Sequence, residues 1–286
     1  MNYRENNNGD NMHKVNLDKY NMRCDLIKDS IFNSNGSINI DTNDYDEVRV
    51  ERVFINNKNS KLYNKRVGNY VSIVFNDITD YDCRNKVINI TTKELKRILV
   101  LNNLINKKVL VVGLGNALST PDSLGPRAID DIITTRHLYE IGDVDDKYSN
   151  VSKMSPGVFA QTGIETFDLI KGVINRIDID YLIIVDALSS SSKNNINKTI
   201  QITDSGIDPG SGVGNQRKEL TYKTLHRKVI AIGIPTVIDI RTLLNDDTIS
   251  EKDNLIVTIK DIDFIIEKLS LILSKSINYA LHNLTK

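Results

Sequence analysis

Two aspartates, Asp122 and Asp186, offer the sharpest chemistry in this 286-residue chain. Asp122 sits in the loop GLGNALSTPDSLGP that follows the apolar run Lys108-Val-Leu-Val-Val-Gly113, and Asp186 stands directly behind Tyr181-Leu-Ile-Ile-Val185. A carboxylate among small and apolar neighbours is costly unless it finds a partner. Two carboxyl groups brought close cannot both ionise cheaply, so one keeps a proton while the other can take one from water. That division of labour suits acid–base attack on an amide. The alternative reading is that either aspartate only caps the turn or helix that follows it.

Other candidates fall around this pair. Gly113-Leu-Gly115 begins like a dinucleotide fingerprint, but the third glycine is missing because position 118 is Leu. The run Pro209 to Asn215, PGSGVGN, lacks the Lys-Ser/Thr pair of a nucleotide P-loop. Its Gly210, Ser211, Gly212 and Asn215 suit either a tight turn or backbone N–H groups that hold a substrate chain, and Asn116 is a further substrate-binding candidate. His137 and His226 could serve a serine nucleophile only if a G-x-S-x-G elbow were present, and it is not. Cys24 and Cys83 are far apart and outside metal-ligand spacing, which argues against a disulfide scaffold and a zinc site and fits a reduced, cytoplasmic compartment.

The elements that must position these residues have an α/β rhythm. Continuous β-branched runs at Lys108–Gly113, Tyr181–Val185 and Lys228–Gly233 suit strands buried on both faces. The spacing predicts a helix from Pro126 to Leu138 and another opening near Thr162, where Thr162 and Glu165 have capping-box spacing. Strand–helix–strand repetition implies a mainly parallel central sheet with helices on both faces, the site lying at the carboxyl ends of the strands, where Thr236 and Asp239 also fall. Before it, Val48–Ile55 and Tyr70–Ile78 suggest an antiparallel β-rich addition over about 45–92. After it, Ile262, Ile266, Leu269, Leu273 and Ile277 share one face of a C-terminal helix at about 259–284, as core or subunit interface.

Composition bounds the rest. Apolar residues at 40% can build a core, and thirty-seven basic residues balance thirty-seven acidic ones, so no global field draws the chain to nucleic acid or an anionic membrane. No run of eighteen apolar residues or secretory signal is present, and polar residues 1–20 read as a flexible tail. The expected organisation is a tail over 1–25 followed by one domain over 26–286.

Taken in order, VLVVGLGNALSTPDSLGPRA, TTRHL, SPGVFAQTGIET, VDALS, TIQITDSGIDPGSGVGNQRKEL and VIAIGIPTVID resemble the germination protease family of spore-forming bacteria. The resemblance implies a fold like that of hydrogenase-maturation endopeptidases and a cytoplasmic, homotetrameric endopeptidase of the spore that degrades small acid-soluble spore proteins. Asp122 and Asp186 would be its catalytic aspartates, with no cofactor, and self-cleavage of the zymogen would fall between Asp25 and Leu26 in YNMRCDLIKD. This chain departs from the family's pattern at Ser189 to Ser192, where an Arg is usual, and at Cys24, where a Thr is usual. A metal-dependent hydrogenase-maturation-type endopeptidase and a non-catalytic peptide-binding module are the competing readings.

Overall fold

A computed structural model describes residues 25–32, 38–210, 217–240 and 255–284. The expected tail over residues 1–20, Cys24, and Ser211, Gly212 and Asn215 lie outside the described residues. One sheet organises the chain. Its strands are β1 (Asp41–Tyr45), β2 (Val48–Ile55), β3 (Gly68–Phe75), β4 (Val109–Gly113), β5 (Val151–Met154), β6 (Tyr181–Ser190), β7 (Thr199–Thr203), β8 (Lys228–Asp239) and β9 (Ile256–Val257), in spatial order β1-β2-β3-β7-β8-β6-β4-β5, with β9 added to the end of β8.

The sheet changes character at one seam. β8, β6, β4 and β5 run parallel, as their buried β-branched runs imply. β1, β2, β3 and β7 are antiparallel and join β8 through the β7–β8 pairing. The N-terminal strands are therefore fused into the main sheet. The region expected to be β-rich ends early, because Tyr81–Leu101 is a long helix (α3), started by the Asp80 carboxylate accepting the Cys83 N–H at 2.7 Å.

Helices cover both faces. On one, α3 and the C-terminal helix α9 (Ile262–Leu281) lie over Val109, Val111, Ile183, Val185, Ile230 and Ile232, with Leu124, Ala128 and Ile129 of α4 (Leu124–Asp130). The apolar stripe of the last helix is thus core. On the other, Phe167, Ile170 and Ile174 of α7 (Thr166–Ile174) pack on Leu110, Val112, Leu182 and Ile184. A smaller cluster on the antiparallel half joins Ile27 of α1 (Ile27–Phe32) and Tyr63 of α2 (Asn57–Tyr63) to Val53, Ile55 and Tyr70.

Several boundaries differ from those expected. The single helix expected over Pro126–Leu138 is broken into α4 and α5 (Arg136–Ile141). Asn278 of α9 holds the break open, accepting the Ile133 N–H at 3.0 Å and donating to the Asp131 carbonyl at 2.8 Å. Thr162 does not open the next helix. It ends a short turn, α6 (Phe159–Thr162), stopped by Gly163 at φ 68°, and α7 starts behind Glu165 instead. Both β6 and β8 outrun their expected ends, pairing past a bulge at Leu188/Ser189, so Asp186, Thr236 and Asp239 lie within strands rather than behind them.

Candidate functional site

Asp122 is brought to the sheet by a tight return of the chain after β4. Gly115, at φ 115°, passes so close to the Asp122 carbonyl that a Cβ there would sit 2.0 Å from its oxygen. The return lets the Asn116 N–H donate to Asp122 Oδ2 at 2.8 Å. The Asn116 side chain is engaged elsewhere: its Oδ1 accepts from Leu118 N at 2.9 Å and from Gln161 Nε2 at 2.6 Å. What Asn116 does for Asp122 it therefore does through the backbone. Gly125 then lets the first turn of α4 wedge down onto the paired ends of β4 and β6, where an added Cβ would meet Leu114 O at 2.2 Å and Val185 O at 2.7 Å.

Asp186 is one residue beyond that wedge, in the middle of β6 and only 6% exposed. Its Oδ1 accepts the Ala187 N–H at 2.9 Å. Burial pushes its carboxyl well above the usual aspartate range, and the negative charges of Asp122 and then Asp25 push it further. Burial also raises Asp122, partly offset by the Asn116 N–H. Both carboxyls are thus raised, and the pair titrates as a coupled unit that holds a proton more tightly than a free aspartate does.

The segment that begins at Asp25 lies against this end of β6. Asp25 Oδ2 accepts from Ser189 N at 2.8 Å and Ser189 Oγ at 3.3 Å. Asp29, 3% exposed, is held by Ser190 Oγ at 2.7 Å, Ser191 N at 2.8 Å and Asn195 Nδ2 at 2.6 Å. Leu26 between them is completely buried, which contributes roughly 1.5–3 kcal/mol to docking. Asp25 and Asp122 thus both lie near enough to Asp186 for their charges to act on it. The serines at 189 to 191 supply hydroxyl and backbone donors for the two acidic side chains of the segment.

Other predicted positions lie elsewhere or at the margin. Gly210, at φ 70°, closes a stretch whose Asp208 pairs with Arg66, and Arg66 Nη2 also reaches Glu219 at 2.7 Å. His137 belongs to α5, His226 is the left-handed cap of α8 (Tyr222–Leu225), and Cys83 is buried in α3, its thiol pushed up by burial. Among the described residues no three His, Cys, Asp or Glu side chains are grouped to hold a metal ion, and no helix is long and apolar enough to cross a membrane. Residues that spacing alone did not single out are Ser190, Ser191 and Asn195, and also Lys65 and Gln201. The only advance sign of Gln201 was a polar residue centred in the apolar strand TIQIT.

Comparison with known proteins identifies the family. The sequence profile of the germination protease family matches residues 21–251. The chain is 38% identical over 268 residues to a germination protease of Clostridium tetani, covering 79% of this chain and 82% of that one. It is 35% identical over 292 residues to one of Clostridium acetobutylicum, covering 87% and 89%. Against one of Bacillus licheniformis it is 44% identical over 206 residues, covering 70% of this chain and 56% of that one, so it spans little more than half of that relative. Among solved structures, a NiFe hydrogenase maturation protease HycI from Thermococcus kodakarensis aligns with a TM-score of 0.35 and 15% identity, over 59% of this chain and 92% of that one.

Proposed function

Because this chain belongs to the germination protease family, and so is a hydrolase of peptide bonds, we propose that it is an endopeptidase in which Asp122 and Asp186 activate water. It is made as a zymogen that cuts itself between Asp25 and Leu26 and then starts the degradation of small acid-soluble spore proteins in the spore cytoplasm. The observation that carries this reading is the position of the Asp25–Leu26 segment, held by Ser189 at the end of the strand that bears Asp186.

The raised, coupled carboxyls support a division of labour within the pair. The ionised member takes a proton from the attacking water, and the protonated member gives one to the departing amine. Asn116 keeps Asp122 in place through its backbone N–H, and substrate binding by Gly210, Ser211, Gly212 and Asn215 belongs to the same reading. Assembly as a homotetramer belongs to the same reading.

The test is incubation of the purified chain alone and with an acid-soluble spore protein, with and without a chelator, followed by mass measurement and product sequencing. A new N-terminus at Leu26 and cleaved spore protein are expected from the unmodified chain, and neither from folded Asp122→Asn or Asp186→Asn. Undiminished cutting by both variants rejects the acid pair. A chain of unchanged mass that binds the spore protein tightly rejects catalysis.

A further inference from the structure

The carbonyl oxygen of Asp25 has two donors from outside its own segment. Lys65 Nζ lies 2.9 Å from it and Gln201 Nε2 lies 3.0 Å from it. The other end of the same Gln201 amide accepts the Ile27 N–H at 2.6 Å. Gln201 therefore grips the backbone on both sides of Leu26 and fixes the rotation of the peptide plane between Asp25 and Leu26.

The fold explains why these donors are aimed there. Gln201 in β7 is in register with Gly233 in β8, and Gly233 is in register with Asp186 in β6. Residues so paired project from the same face of a sheet. Gly233 projects nothing: a Cβ there would lie 2.7 Å from both the Asp186 carbonyl oxygen and Leu188 Cγ. The row Asp186–Gly233–Gln201 thus sets an acid and an amide one strand apart on the same face, with no side chain from the strand between them and Leu188 packed over the glycine. Lys65 comes from the turn after α2, fixed by Asn64 at φ 49°, by its own N–H to Ser60 O at 3.1 Å and by Ser60 Oγ to its carbonyl at 2.6 Å. Both donors start from backbone that is already held.

We infer that Lys65 and Gln201 are catalytic residues that bind the oxyanion formed on the Asp25 carbonyl during cleavage. The inference rests on the proposed cut between Asp25 and Leu26. In the step it describes, the water oxygen bonds to the Asp25 carbonyl carbon while a carboxylate of the acid pair takes the water's proton. The carbonyl π pair moves onto oxygen, where the ammonium and the amide N–H receive it. That pair then re-forms the double bond, the bond to Leu26 nitrogen breaks, and the nitrogen leaves with a proton from the protonated carboxyl. One water is consumed, Asp25 ends as a carboxylic acid and Leu26 as an amine. Lys65 keeps its charge throughout, and its attraction is larger for the full negative charge of the intermediate than for the carbonyl dipole, which is the condition for accelerating the step.

The full chain carrying Lys65→Met, Lys65→Arg or Gln201→Leu, with Asp186→Asn alongside, tests this. The rate at which the Leu26 N-terminus appears is followed by mass, and docking of the segment is read from hydrogen-exchange protection of the Ile27–Phe32 amides. Loss of one oxyanion donor is expected to slow cutting by about a hundredfold or more, with Ile27–Phe32 still protected and Lys65→Arg recovering most of the rate. A loss below tenfold in Lys65→Met overturns the inference, and so does a larger loss matched by an equal loss of protection, since both residues would then only anchor the segment. Should Gln201→Leu not fold, half-buried Lys65 decides alone. Normal rates in Lys65→Met with none in Asp186→Asn defeat the oxyanion site and leave the acid pair standing, whereas normal rates in Asp186→Asn defeat the acid pair first.

Discussion

Replacing Asp186 by Asn should stabilise the fold by an amount that grows with pH. The carboxyl is raised well above its ordinary value of 3.8 by burial and by the charges of Asp122 and Asp25, so the folded state holds this proton more tightly than the unfolded chain does. A group raised in this way contributes its full stability below the unfolded pKa and loses it as pH rises towards the folded one. The loss is about 1.4 kcal/mol per pH unit across that window. Asn has nearly the same shape, can still accept the Ala187 N–H, and has no proton to lose. The stability gap between variant and parent should therefore widen as pH rises above the ordinary value of 3.8, at up to about 1.4 kcal/mol per pH unit, or about 3 °C in Tm for a chain of this size, until the raised value is passed. Thermal unfolding followed by circular dichroism at half-unit pH steps measures it, with mass confirming that the parent is uncut. Removing the neighbouring charge by Asp122→Asn should make the decline end at lower pH. Parent and Asp186→Asn curves that stay parallel would show that Asp186 titrates normally, and the proton assignment to that carboxyl would fall.

Other consequences can be measured in the same way. Gly125→Ala forces a methyl against the backbone of Leu114 and Val185, neither of which can turn aside, and should cost about 3 kcal/mol in urea unfolding and slow cutting as Asp122 is displaced. Asp29→Ala removes three hydrogen bonds that dock the segment and should slow appearance of the Leu26 terminus by roughly tenfold or more, without lowering the Tm of the rest. Glu94→Ala strands Arg52 and Arg97, which flank a carboxylate only 2% exposed, and should cost about 3 kcal/mol in urea, far more than a surface pair. His282 accepts the Ser149 N–H at 3.1 Å and burial lowers its pKa, so stability is lost as pH falls below the usual imidazole value; His282→Asn should flatten that acid limb of the Tm profile.

The buried strands and the two aspartates were legible in the sequence because both depend on local composition. Lys108–Gly113 and Tyr181–Val185 are apolar at every position in their centres, and a carboxylate directly after such a run is conspicuous wherever the chain goes next. Less legible was what pairing decides. Nothing within Val-Asp-Ala-Leu-Ser says that β6 continues to Ser190; that follows from β8 running beside it past the bulge at Leu188. Nor does Pro126–Leu138 announce its break, since Asn278, 145 residues after Ile133, supplies the hydrogen bonds that make it. Lys65 and Gln201 show the limit most clearly. Each is an unremarked polar residue in its own neighbourhood and gains meaning only from Asp25, forty and 176 positions away.

The seam at β7–β8 has a mechanical consequence. Asp122 and Asp186 ride on the parallel half of the sheet, while Gln201 and Lys65 ride on the antiparallel half. Sliding one half past the other by a single residue would carry the carbonyl grip some 3.3 Å away from the acids and turn Gln201 to the opposite side. Hydrolytic competence is thereby a readout of sheet continuity: it should vanish when the N-terminal half loosens, ahead of any collapse of the parallel core.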